Sequence, residues 1–310
     1  MIVKILGSAA GGGFPQWNCA CANCHGLRRG LLRSTPRTQT QVAFSADGQS
    51  WFLACASPDL RSQILAAPEL APHADEPRRS PIAGIFLPSA DVDCVMGLLH
   101  LREFQSFSVY ATAGVQRLLA TESLIFRVLE RAEPPVEWRS LSSRGCQECC
   151  FSSRPGELSS FICHTFPLGG SFPGYASDAF CRSTAPDDSS VGFVFETGGK
   201  KVFFAPSLSG RNSEWTEFLA GADVALIDGT FWSDEELILT GRSHKTAREI
   251  GHLALSGSDG LLARFPRVDG RKILIHMNNT NPILDQDSVE YRCVRDAGFE
   301  IAYDGLAIHL

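Results

Sequence analysis

The chain has 310 residues, of which 44% are apolar and 20% charged, with a net charge of -6. Those proportions exclude a disordered chain and allow a large core. The acidic balance and the lack of a basic stripe argue against a nucleic-acid partner. No apolar run is long enough to span a membrane. The first seven residues read as a strand rather than a signal peptide, so a cytoplasmic protein is expected. Eleven cysteines in a reducing compartment are expected as thiols or metal ligands before disulfides.

Residues 2–6 predict a first strand. The glycines at 7 and 11–13 follow it without the helix and Lys of a phosphate loop, so their expected role is close backbone approach. Next comes Cys19-Ala-Cys21-Ala-Asn-Cys24. Three thiols in one short loop suit a structural zinc, which needs a fourth ligand. His25 is awkwardly placed for that, and His276 is the expected fourth. The plainer alternative is three buried thiols acting as small hydrophobes.

Residues 37–44 and 50–55 predict a hairpin around Asp47-Gly48. A helix follows from Ser57-Pro58-Asp59 through Ile64. Residues 68–81, with His73, read as a solvated loop. Residues 82–87 form a short apolar strand broken by Pro88. An acidic loop then leads into a helical pattern closed by Arg102 and Glu103. Such a loop lies where α/β sheets place their sites. Asp91 and Asp93 point the same way if the loop is extended. Asp93 and Cys94 offer a hard and a soft ligand side by side. The plainer reading of an Asp there is a helix cap.

Strand 107–110, a helix on Thr112 and a helical run at 124–131 continue the alternation. Residues 134–160 are the least regular; their Cys146, Cys149 and Cys150 read as free thiols in a hairpin. Residues 169–190 form a long polar loop of the kind that covers sites. Beyond them, 191–197 and 200–205 predict a hairpin, and 213–220 a helix on Ser213. Strand 224–227 ends at Asp228, and strand 272–275 ends at His276. A helix at 287–297 stops at Gly298, and 299–303 with 306–309 predict a closing hairpin around Asp304-Gly305. No linker divides the chain. One α/β domain over residues 1–310, two halves with a sheet each, is the expected architecture.

The central strand-loop-helix resembles the metallo-β-lactamase superfamily, whose loop reads H-x-H-x-D-H. A closer resemblance, over nearly the whole chain, is to the pyrroloquinoline quinone biosynthesis protein B family. It is carried by GSAAGGGFPQWNCACANC, WFLACASPDLRSQI, DVDCVMGLLHLRE, LIDGTFWSDEEL, AREIGHLALSG and IHMNNTNPILDQDS with the closing AYDG. The resemblance implies an αββα four-layer sandwich and a zinc at the three cysteines. It also implies a role in making the cofactor from a Glu and a Tyr of a peptide, by metal-dependent hydroxylation of a small-molecule precursor. A carrier moving the cofactor or its precursor is the alternative. The reading leaves room for a homodimer.

The departures from the pattern are specific. Ser89 and Asp91 stand where the first two histidines belong, and Cys94 stands for the last. Asp93 keeps its place. Asp228 corresponds to the superfamily's bridging acid, and His252 fits a family motif. His276 stands where the superfamily has its last histidine, so both sites claim it. The expected second site is therefore iron(II) or zinc on Asp91, Asp93, Cys94, Asp228 and His252, with Asp93, Cys94, Asp228 and His252 as the catalytic set. Arg102 or Lys245 is expected to hold substrate carboxylates. The plainer role of Arg102 is to close its helix.

Overall fold

A computed structural model of the chain describes residues 1–72, 79–103, 107–133, 135–154, 157–211, 213–241 and 243–310. His73 and Pro134 lie outside them. The first sheet collects β1 (Ile2–Gly7), β2 (Gln41–Ser45), β3 (Trp51–Ala54), β4 (Ile82–Phe86), β5 (Ser108–Thr112) and β6 (Glu137–Leu141). The second collects β7 (Gly145–Arg154), β8 (Glu157–Pro167), β9 (Val191–Thr197), β10 (Lys200–Ala205), β11 (Val224–Asp228), β12 (Arg271–Ile275) and β13 (Phe299–Ile301). The last strand, β14 (Ala307–His309), returns to the first sheet beside β1. Among the described residues, each sheet has seven strands.

The two sheets are built alike. In the first, β1, β2 and β3 pair antiparallel, and β3 through β6 pair parallel. In the second, β7 through β10 pair antiparallel, and β10 through β13 pair parallel. The carboxyl ends of the parallel strands β3 and β4 of one sheet and β11 and β12 of the other share one cleft, because residues following all four line it or touch its lining. Backbone contacts hold the sheets together there. Ser89 bridges to Ser190, and the Val191 N–H donates to the Pro88 carbonyl at 2.8 Å.

The apolar layer between the sheets is largely phenylalanine. Phe44, Phe52 and Phe86 project from the first sheet, and Phe161, Phe193 and Phe195 from the second. Phe44 stacks on Phe195 with centroids 3.9 Å apart, and Phe86 meets Phe195 edge-on at 5.0 Å. Helices Leu60–Leu65 and Ala113–Thr121 pack on strands of the first sheet, and Trp215–Phe218 and Val289–Asp296 on strands of the second. Thr112 caps its helix by accepting the Val115 N–H at 3.2 Å, and Ser288 caps the last helix at the Tyr291 N–H, 2.9 Å. Gly298 ends it in the left-handed region, at φ 79°.

Three local expectations are corrected. The last two strands do not form a hairpin: β13 lies parallel to β12, and β14 antiparallel to β1. Asp304 between them is caged by Ser8 Oγ at 2.8 Å and by the Thr38 N–H and hydroxyl at 2.6 and 2.7 Å, so the turn hands the chain from one sheet to the other. The helix expected at 213–220 is a single turn, Trp215–Phe218, without a side-chain cap. Arg144 draws the Glu214 carboxylate away through two bonds of 2.9 Å. The described residues between 135 and 160 are more regular than expected. They include the long antiparallel pair β7–β8, where Cys146, Cys149 and Cys150 form no disulfide.

Candidate functional site

Two clusters of donor atoms stand on the same short segment, the one that follows β12. The first is the cysteine loop. The sulfurs of Cys19, Cys21 and Cys24 lie within 4.8 Å of one another. Arg28 ties the loop down by donating to the carbonyls of Gln16 and Cys19. His25 points to solvent. The fourth position belongs to Asn279, not His276. The Asn279 amide lies 3.2, 3.5 and 3.3 Å from the sulfurs of Cys19, Cys21 and Cys24. Asn23 fixes that segment by donating to the Asn279 and Asn281 carbonyls, at 3.1 and 2.8 Å. Burial pushes the Cys24 thiol up to about 11. Three thiols around one amide, in so small a space, would suit a tetrahedral zinc, which would take the thiols as thiolates and so remove that penalty. Which amide atom faces the sulfurs is an assignment that a bound ion reverses.

The second cluster is Asp228, His252 and His276, each offering an atom within 4.8 Å of the others. Asp228 ends β11 and is fully buried. Its Oδ1 accepts the Thr230 N–H at 3.0 Å and hydroxyl at 2.6 Å; its Oδ2 accepts the Leu208 N–H at 2.8 Å and His252 Nδ1 at 2.9 Å. His252 is presented by the left-handed turn at Gly251, φ 95°. The Thr230 hydroxyl is spent on Asp228, so His276 Nδ1, 2.9 Å away, must be the donor to Thr230 Oγ1. His276 Nε2 then faces Asp93 Oδ2 at 3.2 Å. A lone pair cannot face a carboxylate: Nε2 carries a proton, or a cation lies between them.

The charge pattern agrees. Burial works against a charged His276, yet the hydrogen bond and charge of Asp93 raise its pKa. Burial likewise opposes ionisation of Asp93, and His276 overcomes it and lowers the Asp93 pKa. Asp91 differs. Burial and the Asp93 charge raise it, and its Oδ2 accepts the Ser89 hydroxyl at 2.7 Å. Its side chain therefore neither caps the following helix nor joins the histidines. Cys94 does not join them either. Its sulfur lies 3.4 Å from Cys55 Sγ, and the hydrogen bond to Cys55, then burial, keeps the thiol protonated. His276 Nε2 faces Asp93, His252 Nδ1 faces Asp228, and the two rings stack with centroids 5.3 Å apart. Two imidazoles with a carboxylate are a set that suits iron(II) or zinc.

Both histidines and Asp93 line a cavity of about 820 Å³. Its wall includes the loop Pro88–Cys94, the glycines at 11 and 12, residues 168–175, Arg211 and Lys245. Gly7 shows the close approach expected of that glycine stretch, since a Cβ there would lie 2.0 Å from the Gln39 carbonyl oxygen; at Gly11 a Cβ would meet Asp93 Oδ2 at an ordinary 3.4 Å. Lys245 reaches the cavity from an exposed position. Arg102 does not. It donates to the Leu99 carbonyl at 2.7 Å and pairs with Glu103 at 3.3 Å, closing its short helical segment. Tyr175 donates to the Ala90 carbonyl and pins the 169–190 segment over the acidic loop. Sequence reasoning missed Thr230 and Asn279, which stand two residues past Asp228 and three past His276 in stretches already singled out.

A beta-lactamase superfamily domain matches residues 50–277. Coenzyme PQQ synthesis protein B of Azotobacter vinelandii is 41% identical over 319 residues, covering all of both chains. The chain belongs to the coenzyme PQQ synthesis protein B family. The protein of that name from Methylorubrum extorquens is 40% identical, again over all of both chains. The crystal structure of Zn(2+)-bound PqqB from Methylobacterium extorquens superposes with a TM-score of 0.89 at 38% identity, covering both chains fully. A diphosphatase of the PhnP family, 18% identical with a TM-score of 0.65, shares the fold. The family has the metallo-β-lactamase fold, and the paired sheets of this chain are that fold. Among the described residues, no helix is long and apolar enough to cross a membrane.

Proposed function

We propose that this protein acts in the synthesis of pyrroloquinoline quinone, as a metal-dependent hydroxylase of the Glu-Tyr-derived precursor. The observation that supports this most is the pair His252 and His276 opposite Asp93 at the wall of the cavity. In this reading the cysteine loop and Asn279 hold a zinc for shape. His252, His276 and Asp93 hold the second metal, with Asp228 as an orienting or further ligand. Bound iron(II) supplies redox chemistry toward dioxygen, as this donor set does elsewhere.

The chain's own residues do the rest. Asp228 fixes His252 in the tautomer that leaves Nε2 bare, and Thr230 does the same for His276. Lys245 and Arg211 present positive charge to the carboxylates of the precursor from the cavity wall. The segment held by Tyr175 limits water at the loop.

Metal counting and a product assay test the reading. Protein loaded with zinc and then iron(II) should carry two metals per chain. His252→Ala and Asp93→Ala should lose the second and keep the zinc. The iron-loaded protein, given precursor, air and a reductant such as ascorbate, should add one oxygen atom to it while the other leaves as water. A single metal, unchanged in both variants, would favour the carrier. One feature gives that reading its footing: Ser89 and Asp91 bond to each other where the superfamily has imidazoles.

A further inference from the structure

Cys55 and Cys94 are the unabsorbed pair of this cleft. Both are buried, and their sulfurs are 3.4 Å apart. The backbones that carry them are clamped together. The Ala56 N–H donates to the Cys94 carbonyl at 2.7 Å, and the Gly97 N–H donates to the Ala56 carbonyl at 2.8 Å. A Cβ at Gly97 would meet the Ser57 carbonyl oxygen at 2.2 Å, so only glycine allows so close a pairing. Cys55 sits at φ 70°, in the left-handed region that a non-glycine residue rarely adopts. His276 is the other non-glycine residue with positive φ among those described, at 63°. Each follows a parallel strand that ends at the cleft, β3 for Cys55 and β12 for His276. Backbone strain of this kind collects at functional positions. Cys94 lines the cavity, which gives a small oxidant a route to one sulfur of the pair.

We propose that Cys55 and Cys94 are a redox-active dithiol, which a hydroperoxide entering through the cavity closes to a disulfide. The inference rests on this geometry and not on the hydroxylase reading. The Cys94 sulfur attacks the terminal peroxide oxygen while its thiol proton passes to the departing one; the O–O bond breaks, water (or the alcohol of an organic hydroperoxide) leaves, and Cys94 becomes a sulfenic acid. The Cys55 sulfur then attacks the Cys94 sulfur. The S–S bond forms as the S–O bond breaks, and a second water leaves. Two thiols lose two electrons and two protons, and the peroxide takes them up. The sulfurs need to approach from 3.4 Å to about 2.05 Å, a movement that side-chain rotation supplies. Cys94 is bonded in sequence to Asp93, and Asp93 faces His276. The oxidation state of the pair is thereby written directly beside the histidines.

The test uses the full zinc-loaded chain with the exposed Cys146, Cys150, Cys181 and Cys293 replaced by Ser, which leaves the pair intact. Folded protein is treated with hydrogen peroxide, alkylated after denaturation, digested without reduction and analysed by mass spectrometry. The expected result is a linked peptide pair containing Cys55 and Cys94, two hydrogens lighter than the two peptides, in most of the chain. Dithiothreitol should reverse it. The linked protein should also melt higher than the reduced protein, because the bond closes a loop between positions 39 apart. Recovery of Cys55 and Cys94 as separately alkylated peptides would overturn the proposal. So would a linked form that appears only when the peroxide is added to denatured protein.

Discussion

Asp228 spends both carboxylate oxygens on partners: two bonds from Thr230, one from Leu208 and one from His252. A fully buried acid so supplied stays ionised, because charge-assisted bonds replace the water it has lost. The histidines inherit their orientation from it. Thr230 is the relay, accepting from His276 Nδ1 while donating to Asp228. Thr230→Val keeps the shape and removes both bonds. It should weaken metal binding at the histidine cluster by about 10–100-fold, as losses of an orienting partner do. Competition with a chelator would measure this, with the cysteine-loop zinc unchanged. Asp228, His252 and Asp93 were legible in the sequence as ligand-type residues at strand ends and in motifs. Thr230 was not, because a threonine after an Asp-Gly turn has no chemistry until a histidine from another strand reaches it.

At the scale of elements, the segment after β12 matters most. It carries His276 at one cluster and Asn279 at the other. Cys21→Ser should release the zinc and lower the melting temperature, read by metal analysis and calorimetry. It should also loosen metal binding at His276, because the shared segment loses its anchor. The one-turn helix Glu236–Leu239 supports the same segment. Glu236 accepts the Trp232 N–H at 2.7 Å and the Thr280 hydroxyl.

Burial raises the Glu236 carboxyl from 4.5 to about 7 against those two hydrogen bonds. The folded state thus holds this proton more tightly than the unfolded state. The stability it contributes is complete below pH 4.5 and is lost as pH rises to about 7. Each pH unit of that gap is worth about 1.4 kcal/mol, so Glu236→Gln should remove a loss of roughly 3 kcal/mol across the window. Thermal melts of both proteins from acid to neutral pH would show it: the two should diverge as pH rises, and parallel curves would contradict the assignment. The convergence of three sulfurs in the cysteine loop was legible from their spacing. The neighbour that completes the cluster was not, since Asn279 lies some 260 positions away from Cys19 and is one of three asparagines in a short run.

Over the whole molecule, the cleft depends on two sheets keeping one register against each other. Phenylalanines from both sheets interlock to set it, with Phe44 against Phe195 at 3.9 Å and against Phe161 edge-on at 5.4 Å. Phe44→Ala should cost about 3–5 kcal/mol, measured by urea denaturation. The strand ends should then lose their relative placement, with weaker binding at the histidine cluster. His276 and Asp93 would feel this first, because they meet across the cleft from β12 and from the loop after β4.

The sequence by itself determined the alternation of strands and helices, the family and the cysteine loop. Those features rest on local signals: apolar runs of strand length, turn pairs and ligand spacing within a few residues. It also brought forward Asp228 and His276 at strand ends, Asp93 in the loop beyond a strand, and His252 in a family motif. Tertiary structure alone decided how they divide. It gave His276 to Asp93 rather than to the cysteines, set Asn279 among the sulfurs and turned Cys94 toward Cys55. It also sent the last two strands to different sheets. The reason is common to all four. Each outcome is a choice between partners far apart in the chain, which only strand pairing within a sheet, or the packing of one sheet on the other, brings within reach.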